Sequence, residues 1–131
     1  MKIYSIVSAF LAASTLFILG CTANAAGSSV TLEEARTALD KSSAIVIDIR
    51  ETSEHATGVA KGARLIPMGQ LGKRLNELAK PGEQPVLIIC NTQNRSSKIV
   101  KQLQAAGFTN ASYVQGGMSQ WAARGWTMVK P

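Results

Sequence analysis

The chain has 131 residues and a formal net charge of +6, from 14 lysines and arginines against 8 aspartates and glutamates. A chain of this length builds one compact domain. The positive charge suits small anionic ligands and nucleic acid alike, yet no run of lysines and arginines is interleaved with aromatic residues. We therefore expect no nucleic-acid partner.

The first 25 residues predict a secretory signal peptide. Lys2 supplies a short positive start, residues 6–19 are apolar apart from Ser and Thr, and Ala23-Asn24-Ala25 is an A-x-A cleavage pattern. The apolar run is shorter than the ~20 residues that a membrane-spanning helix needs. We expect cleavage after Ala25 and export to the periplasm.

Lipidation is the alternative for the same segment. Ile18-Leu19-Gly20-Cys21 resembles a bacterial lipoprotein box, and a lipid on Cys21 would tether the mature protein to a membrane. Soluble export is the favoured prediction, and an anchor through Cys21 is the other.

Strand and helix signals alternate in the rest of the chain. Residues 26–29 are small and predict a linker without structure, and residues 30–131 form the domain. The patterns predict helices near 31–40, 71–78 and 96–106 and a short one after 117, and strands near 44–49, 64–66, 85–90 and 111–114. Such alternation in so short a chain indicates an α/β fold, with a central parallel sheet flanked by helices on both faces.

Local signals mark two helix ends and one turn. Thr31 and Glu34 predict a capping box at the start of the first helix. Gly107 is well placed to cap the end of the helix at 96–106. The charged segment 48–55 is predicted as a turn after the strand at 44–49.

Cys90 ends the apolar strand at 85–90 and, after loss of the signal peptide, is the only cysteine. A lone cysteine is either a buried inert residue or a reactive thiol. Here a short polar loop leads from Cys90 into a helix that starts near Ser96, so the thiol lies at the carboxyl edge of the sheet. The free N–H groups and the dipole of that helix start stabilise a thiolate, which favours a reactive Cys90.

The loop after Cys90 is the predicted binding site. A loop this short, tied to a helix start, can point successive backbone N–H groups inward and cradle an anion. Arg95 either contacts that anion or pairs with an internal carboxylate and braces the loop. The candidate binding residues are Asn91, Thr92, Gln93, Asn94, Arg95 and Ser96.

Four motifs, in the right order, resemble those of the rhodanese-like sulfurtransferases. The active loop of that family is Cys-x4-Arg followed by a small hydroxyl residue, as in Cys90 to Ser96. The other three are Asp48-Ile49-Arg50 with Glu54 and Gly58, Gly62-Ala63-Arg64-Leu65-Ile66-Pro67, and Gly116-Gly117-x3-Trp121-x3-Gly125. The resemblance covers about residues 30–130.

The resemblance implies a rhodanese-like three-layer domain that works through a persulfide. The Cys90 thiolate would attack the outer sulfur of a donor such as thiosulfate, release sulfite, and carry the sulfur to a thiol or to cyanide. The implied partners are a small anionic sulfur donor (thiosulfate or a persulfide) and a thiol acceptor, and no metal or organic cofactor is implied. We expect a monomer that meets a membrane only if Cys21 is lipidated.

Other functions are compatible with a thiol in such a loop. A non-enzymatic persulfide carrier or binding module on the same scaffold is the alternative to an enzyme. Phosphatases and arsenate reductases that resemble this fold need the longer loop Cys-x5-Arg, so the spacing from Cys90 to Arg95 disfavours them. A thiol–disulfide oxidoreductase would need a resolving cysteine near Cys90, and none is present.

Several side chains outside the thiol have structural explanations. Gln93 stands where family loops often have glycine, and its side chain strains the loop, reshapes it or lines the pocket. A Cys–His pair with His55 is the less favoured prediction, because geometry rather than composition makes such a pair. Arg50 and Glu54 predict an ion pair, and Asp48 is expected to brace nearby backbone.

Trp121 and Trp126 follow the two glycines of the last motif. We expect both rings to pack in the core or at its rim rather than to form a binding platform.

Overall fold

Five parallel strands form the centre of residues 28–131, which are the residues that the computed structural model describes. The strand order in the sheet is β1-β5-β4-β2-β3. The strands are β1 Ser29–Val30, β2 Ile45–Asp48, β3 Arg64–Leu65, β4 Val86–Ile89 and β5 Ala111–Val114.

Five helices and one 3₁₀ segment connect these strands. The helices are α1 Leu32–Lys41, α2 Thr52–His55, α3 Met68–Leu71, α4 Asn94–Ala105 and α5 Gly117–Ala123, and the 3₁₀ segment is Gly72–Glu77.

The sheet has a separate hydrophobic core on each face. Alternate residues of a strand point to opposite faces, so Val86 and Ile88 of β4 enter one core while Leu87 and Ile89 enter the other. The first core is closed by α3 and α4, and the second by α1 and α5. The predicted α/β fold, a parallel sheet between two helical layers, is confirmed.

The capping signals of the sequence are present as predicted. The Thr31 N–H donates to Glu34 Oε2 at 2.7 Å, and the Glu34 N–H donates to Thr31 Oγ1 at 3.2 Å. Gly107 follows α4 with φ +99°, and the Phe108 N–H returns to the Leu103 carbonyl at 2.9 Å, which satisfies an otherwise free helix carbonyl.

Two short elements were not predicted. Ser29, assigned to an unstructured linker, lies in β1 and pairs with Tyr113 of β5. Part of the charged segment 48–55 forms α2, whose first turn is closed by the Glu54 carboxylate accepting the Glu51 N–H at 2.8 Å. Elements of two and four residues are too short for apolar periodicity to appear.

The single amphipathic helix predicted at 71–78 is wrong. The chain forms α3 and then a 3₁₀ segment, with a non-helical φ of −118° at Arg74. Gly69 and Gly72 lie in this stretch, and each glycine costs a helix roughly 1 kcal/mol relative to alanine. The apolar spacing does indicate a face that points inward, since Leu71 and Leu78 are both in the first core.

The predictions for residues 1–25, including signal cleavage and lipidation of Cys21, lie outside the described residues. Within residues 28–131 no helix is long and apolar enough to cross a bilayer. In the same part of the chain, no group of three or more His, Cys, Asp or Glu side chains is arranged to hold a metal ion.

Candidate active site

Cys90 follows β4, the middle strand of the sheet, and its side chain is only 1% exposed. The Ser96 backbone N–H donates to Cys90 Sγ at 3.4 Å, and the Sγ lies 3.3 Å from Ser96 Oγ. The Ser96 hydroxyl is itself fully buried and donates to the Gln93 carbonyl at 3.2 Å. Two polar groups of one residue therefore meet the sulfur at the start of α4.

The loop between Cys90 and α4 offers further backbone donors. Among residues 28–131, the N–H groups of Thr92, Gln93 and Arg95 find no hydrogen-bond acceptor. The Asn94 N–H makes only a long contact, 3.4 Å, with Thr92 Oγ1. Donors free of protein partners beside a thiol, at a helix N-terminus, can serve an anion held against the sulfur.

The polar side chains of this loop lie on its outer surface. Asn91, Thr92, Gln93 and Asn94 are exposed, Arg95 is half-buried, and Ser96 is buried. Of the six predicted binding residues, the structure places the first three in the loop after Cys90 and the last three in the first turn of α4. Of their side chains, that of Ser96 contacts the sulfur.

The N-terminus of α5 holds the same loop from the other side. The Met118 and Ser119 N–H groups donate to the carbonyls of Cys90 and Asn91, both at 2.8 Å. Gly117 has φ +60°, and a Cβ on it would lie 2.3 Å from the Thr92 carbonyl oxygen and 2.4 Å from that of Cys90. The first turn of α5 therefore fixes the carbonyl side of two peptides of the thiol loop.

The role of Gly117 and α5 was missed by the sequence analysis. The motif Gly116-Gly117-x3-Trp121 carries the signal, since two glycines before a helix indicate positive φ and a close backbone approach. Which segment approaches them, however, is a tertiary contact that the motif does not name.

Arg95 pairs with a carboxylate on α2. Its guanidinium donates to both oxygens of Glu54, Nη1 to Oε2 at 2.8 Å and Nη2 to Oε1 at 2.7 Å. These hydrogen bonds are the main reason that the pKa of Glu54 is lowered to about 2, and they also raise the pKa of Arg95. Of the two roles left open for Arg95, the geometry favours the brace.

Arg50 has a different partner from the one predicted. Its Nη2 lies 2.7 Å from Asp48 Oδ2 and 2.8 Å from the Gly58 carbonyl, while it meets Glu54 only through a backbone contact of 3.4 Å. The predicted Arg50–Glu54 ion pair is therefore wrong. The carboxylate of Asp48 is fully buried, and the guanidinium is buried against it.

Asp48 does brace backbone as predicted, since Oδ1 accepts the Arg50 N–H at 3.1 Å. His55 packs against the same carboxylate, with Nε2 3.4 Å from Asp48 Oδ1, and is 3% exposed. Its buried place beside Asp48 is that of a residue that packs in this cluster, and it does not support a Cys–His pair.

Gln93 has φ −162°, outside the left-handed region that favours glycine. Of the three alternatives for its side chain, that it strains the loop, reshapes it or lines the pocket, the first is wrong in so far as it depends on a positive φ. Instead, the side-chain oxygen Oε1 accepts the Gly116 N–H at 3.1 Å.

The two tryptophans pack against each other rather than line the thiol loop. Trp121 is 4% exposed and donates to the Thr127 carbonyl at 3.2 Å. Trp126 meets it edge to face with ring centroids 4.9 Å apart. The packing role expected for both is confirmed.

Comparison with known proteins agrees with this architecture. A model of the rhodanese-like domain family matches residues 31–124. The uncharacterised protein YqhL of Bacillus subtilis is 34% identical over 73% of this chain and 73% of its own length. A sulfurtransferase of Allochromatium vinosum is 29% identical over 70% of this chain and 84% of its own length.

Among solved structures, a rhodanese-like domain protein from Staphylococcus aureus is 35% identical, with a TM-score of 0.64 over 72% of this chain and 90% of that one. The family model alone spans more than half of the sequence. This chain therefore belongs to the family of rhodanese-like domains.

Proposed function

We propose that this protein is a sulfurtransferase that moves sulfane sulfur from a small anionic donor, such as thiosulfate, to a thiol acceptor through a persulfide on Cys90. Its family and its similarity to a named sulfurtransferase support sulfur transfer in general. The observation that carries the proposal is the setting of Cys90 Sγ, which meets the N–H and hydroxyl of Ser96 beside N–H groups without acceptors.

The first half-reaction loads the protein. The Cys90 thiolate attacks the outer sulfur of thiosulfate, a new S–S bond forms, and the bond from that sulfur to the sulfonate breaks. The electron pair of the broken bond leaves with sulfite, and Cys90 is left as a persulfide anion. The Ser96 N–H and the free amides of Thr92 and Gln93 are suited to stabilise charge on either sulfur.

The second half-reaction unloads it. An acceptor thiolate attacks the outer sulfur of the persulfide, a bond to that sulfur forms, and the Cys90–sulfur bond breaks with its electron pair returning to Cys90. The acceptor leaves as a persulfide, or as thiocyanate when cyanide takes its place. Neither half-reaction needs an external oxidant or reductant.

Arg95 supports this chemistry indirectly. Both of its terminal nitrogens are engaged by Glu54, so it is a brace between α2 and the thiol loop rather than the main ligand of the donor. The positive charge near the loop still favours the approach of an anion.

The decisive experiment is intact-mass measurement before and after incubation with thiosulfate. We expect the mass to rise by one sulfur atom on Cys90, and the gain to be reversed by cyanide or a reducing thiol. The variant Cys90→Ser should remain unmodified while keeping the thermal stability of the wild type. A wild-type protein that takes sulfur from no sulfane donor would contradict the proposal.

Steady-state turnover of thiosulfate and cyanide separates the enzyme from the carrier on the same scaffold. A carrier would accept sulfur from a persulfidated protein, yet its turnover of thiosulfate and cyanide would be negligible before any mutation. We propose the enzyme, with measurable steady-state turnover of both small molecules.

We also propose that residues 1–25 are removed during export to the periplasm. The protein recovered from the periplasmic fraction should then begin at Ala26. A lipid mass on an N-terminal Cys21 would instead establish the lipoprotein.

A further inference from the structure

The side chain of Gln93 connects the thiol loop to the turn between β5 and α5. The Gly116 N–H donates to Gln93 Oε1 at 3.1 Å, across 23 residues of sequence. Gln93 is exposed, so burial of apolar surface does not account for its position. Its φ of −162° lies outside the left-handed region, so the backbone does not require glycine at this position either.

The backbone carbonyl of the same residue organises the start of α4. It accepts the Ser96 hydroxyl at 3.2 Å and the Ser97 N–H at 2.9 Å. Ser96 Oγ lies in turn 3.3 Å from Cys90 Sγ. A continuous run of contacts therefore leads from Gly116 through Gln93 and Ser96 to the sulfur.

Gly116, at the end of this run farthest from the sulfur, is held in position by its place directly before α5. Gly116 has φ +78° and immediately precedes α5, whose first amides bind the carbonyls of Cys90 and Asn91. On the α5 side the loop is thus held by its carbonyls at one point and by the Gln93 side chain at another. Of these two points, the second is the one that a substitution of a loop side chain can release.

We infer that Gln93 is a positioning residue, a latch whose bond to the Gly116 N–H fixes the Gln93 peptide and so holds Ser96 where its backbone N–H donates to the Cys90 sulfur. The inference rests on the proposed sulfur transfer and deepens it. With the latch open, the Gln93 carbonyl can turn away from the Ser96 hydroxyl and the Ser97 N–H, which loosens the first turn of α4. The Ser96 N–H, which donates to the Cys90 sulfur, is then held less firmly, and charge on the sulfur during attack is less well stabilised.

Two substitutions of Gln93 separate the latch from simple surface effects. Gln93→Leu keeps the approximate size and removes the acceptor. We expect it to lower kcat for persulfide formation about fivefold, the effect of losing one hydrogen bond of ordinary strength. Gln93→Glu keeps an acceptor oxygen, so we expect it to restore kcat while raising KM for dianionic thiosulfate by charge repulsion.

A direct readout of the latch does not depend on activity. The exchange of the Gly116 amide hydrogen, followed by NMR, should be faster by about fivefold or more in Gln93→Leu and close to wild type in Gln93→Glu.

Gln104→Leu is the matched control. Gln104 lies on α4, at the opposite end of the helix from the thiol loop. Its side chain donates to Ser28 Oγ at 3.3 Å and to the Ala111 carbonyl at 3.1 Å. We expect its removal to lower the melting temperature slightly and to leave kcat, KM and Gly116 exchange unchanged.

Three results would each overturn the latch: unchanged Gly116 exchange in Gln93→Leu, equal kcat for Gln93→Leu and Gln104→Leu, or no recovery of kcat in Gln93→Glu. Failure of the proposed function looks different, because the wild type would then take up no sulfur. The Gly116 exchange rates would still decide whether Gln93 holds the loop.

Discussion

Two side chains 41 residues apart in sequence, Glu54 and Arg95, join the thiol loop to the rest of the domain. The pair is about one-third exposed, and its two parallel hydrogen bonds fix both position and direction of the guanidinium. Glu54 uses the same carboxylate to close the first turn of α2 through the Glu51 N–H. A change in the charge of Glu54 therefore acts on the helix and on the loop together.

This pair should make the stability of the protein depend on pH in the acid range. The folded-state pKa of Glu54 is lowered from 4.5 to about 2, so its stabilising contribution is full above about pH 4.5 and is lost as the pH falls toward 2. We expect a coupling energy of about 1 kcal/mol between Glu54 and Arg95 near neutral pH, after allowance for solvent screening.

A double-mutant cycle measures that energy. Urea unfolding of wild type, Glu54→Gln, Arg95→Gln and the double variant gives the coupling free energy at each pH. The coupling free energy should fall steadily below about pH 4.5, because Glu54 is protonated there in the unfolded chain but stays ionised in the folded protein until the pH approaches 2. A coupling energy that is equal near neutral pH and at about pH 3 would show that the ionised carboxylate does not hold Arg95.

At the scale of elements, α5 acts on the site through its first turn. Its amides bind two carbonyls of the thiol loop, and the approach is so close that only a residue without a side chain fits at Gly117. Gly125, at the other end of the helix, also has a positive φ, +66°, but nothing lies within 4 Å of the place where its Cβ would stand. Both glycines therefore have a positive φ, but only Gly117 is also in close contact with another segment.

Alanine substitutions at these glycines should differ sharply. Gly125→Ala carries only the left-handed conformation, at about 1 kcal/mol, because its surroundings are open. Gly117→Ala adds contacts with three loop carbonyls, the shortest 2.3 Å, so we expect about 3 kcal/mol and a loss of sulfur transfer at temperatures where the protein is still folded. Chemical unfolding and turnover of both variants would check this, and equal losses would refute the close-contact explanation.

The longer elements were predictable from the sequence because their signals are local. The apolar runs that became β2 and β4, and the capping box before α1, are each contained within a few residues. β1 has two residues and depends on pairing with Tyr113 and Val114, at the other end of the domain. No pattern within so short a segment specifies that partner.

The candidate site also has one part that local sequence predicts and another that it does not. The position of Cys90 at a strand end, before a polar loop and a helix, can be read from neighbouring residues. The contacts that shape the loop join it to Glu54, Gly116 and Gly117, all more than 20 residues away. Side-chain and backbone contacts at that separation depend on how the elements pack, which residue spacing does not encode.

At the scale of the whole molecule, the buried Asp48–Arg50 pair links the sheet to α2, which carries Glu54. Asp48 ends β2, and its backbone carbonyl accepts the Ile66 N–H at 3.1 Å from the chain just after β3. Arg50 extends the link to the Gly58 carbonyl, beyond α2. The pair is almost wholly buried, with side chains 0% and 5% exposed. A buried charge that loses its partner is strongly destabilising.

Asp48→Asn should therefore destabilise the entire domain and not only the segment around α2. The asparagine amide would present N–H groups to the guanidinium in place of a carboxylate oxygen, leaving Arg50 buried with its charge uncompensated. We expect a loss of about 3 kcal/mol, a large part of the 5–15 kcal/mol typical of a small domain. Asp40→Asn, at an exposed carboxylate on α1, should change stability by no more than about 0.5 kcal/mol.

Urea unfolding would distinguish a global effect from a local one, since loss of stability alone moves the midpoint and leaves the slope unchanged. Below its melting temperature, Asp48→Asn should also transfer sulfur more slowly than Asp40→Asn. The reason is that α2, and with it the Glu54 brace of Arg95, is anchored by the same pair. A variant with a lowered midpoint but wild-type turnover would mean that the thiol loop keeps its shape without that anchor.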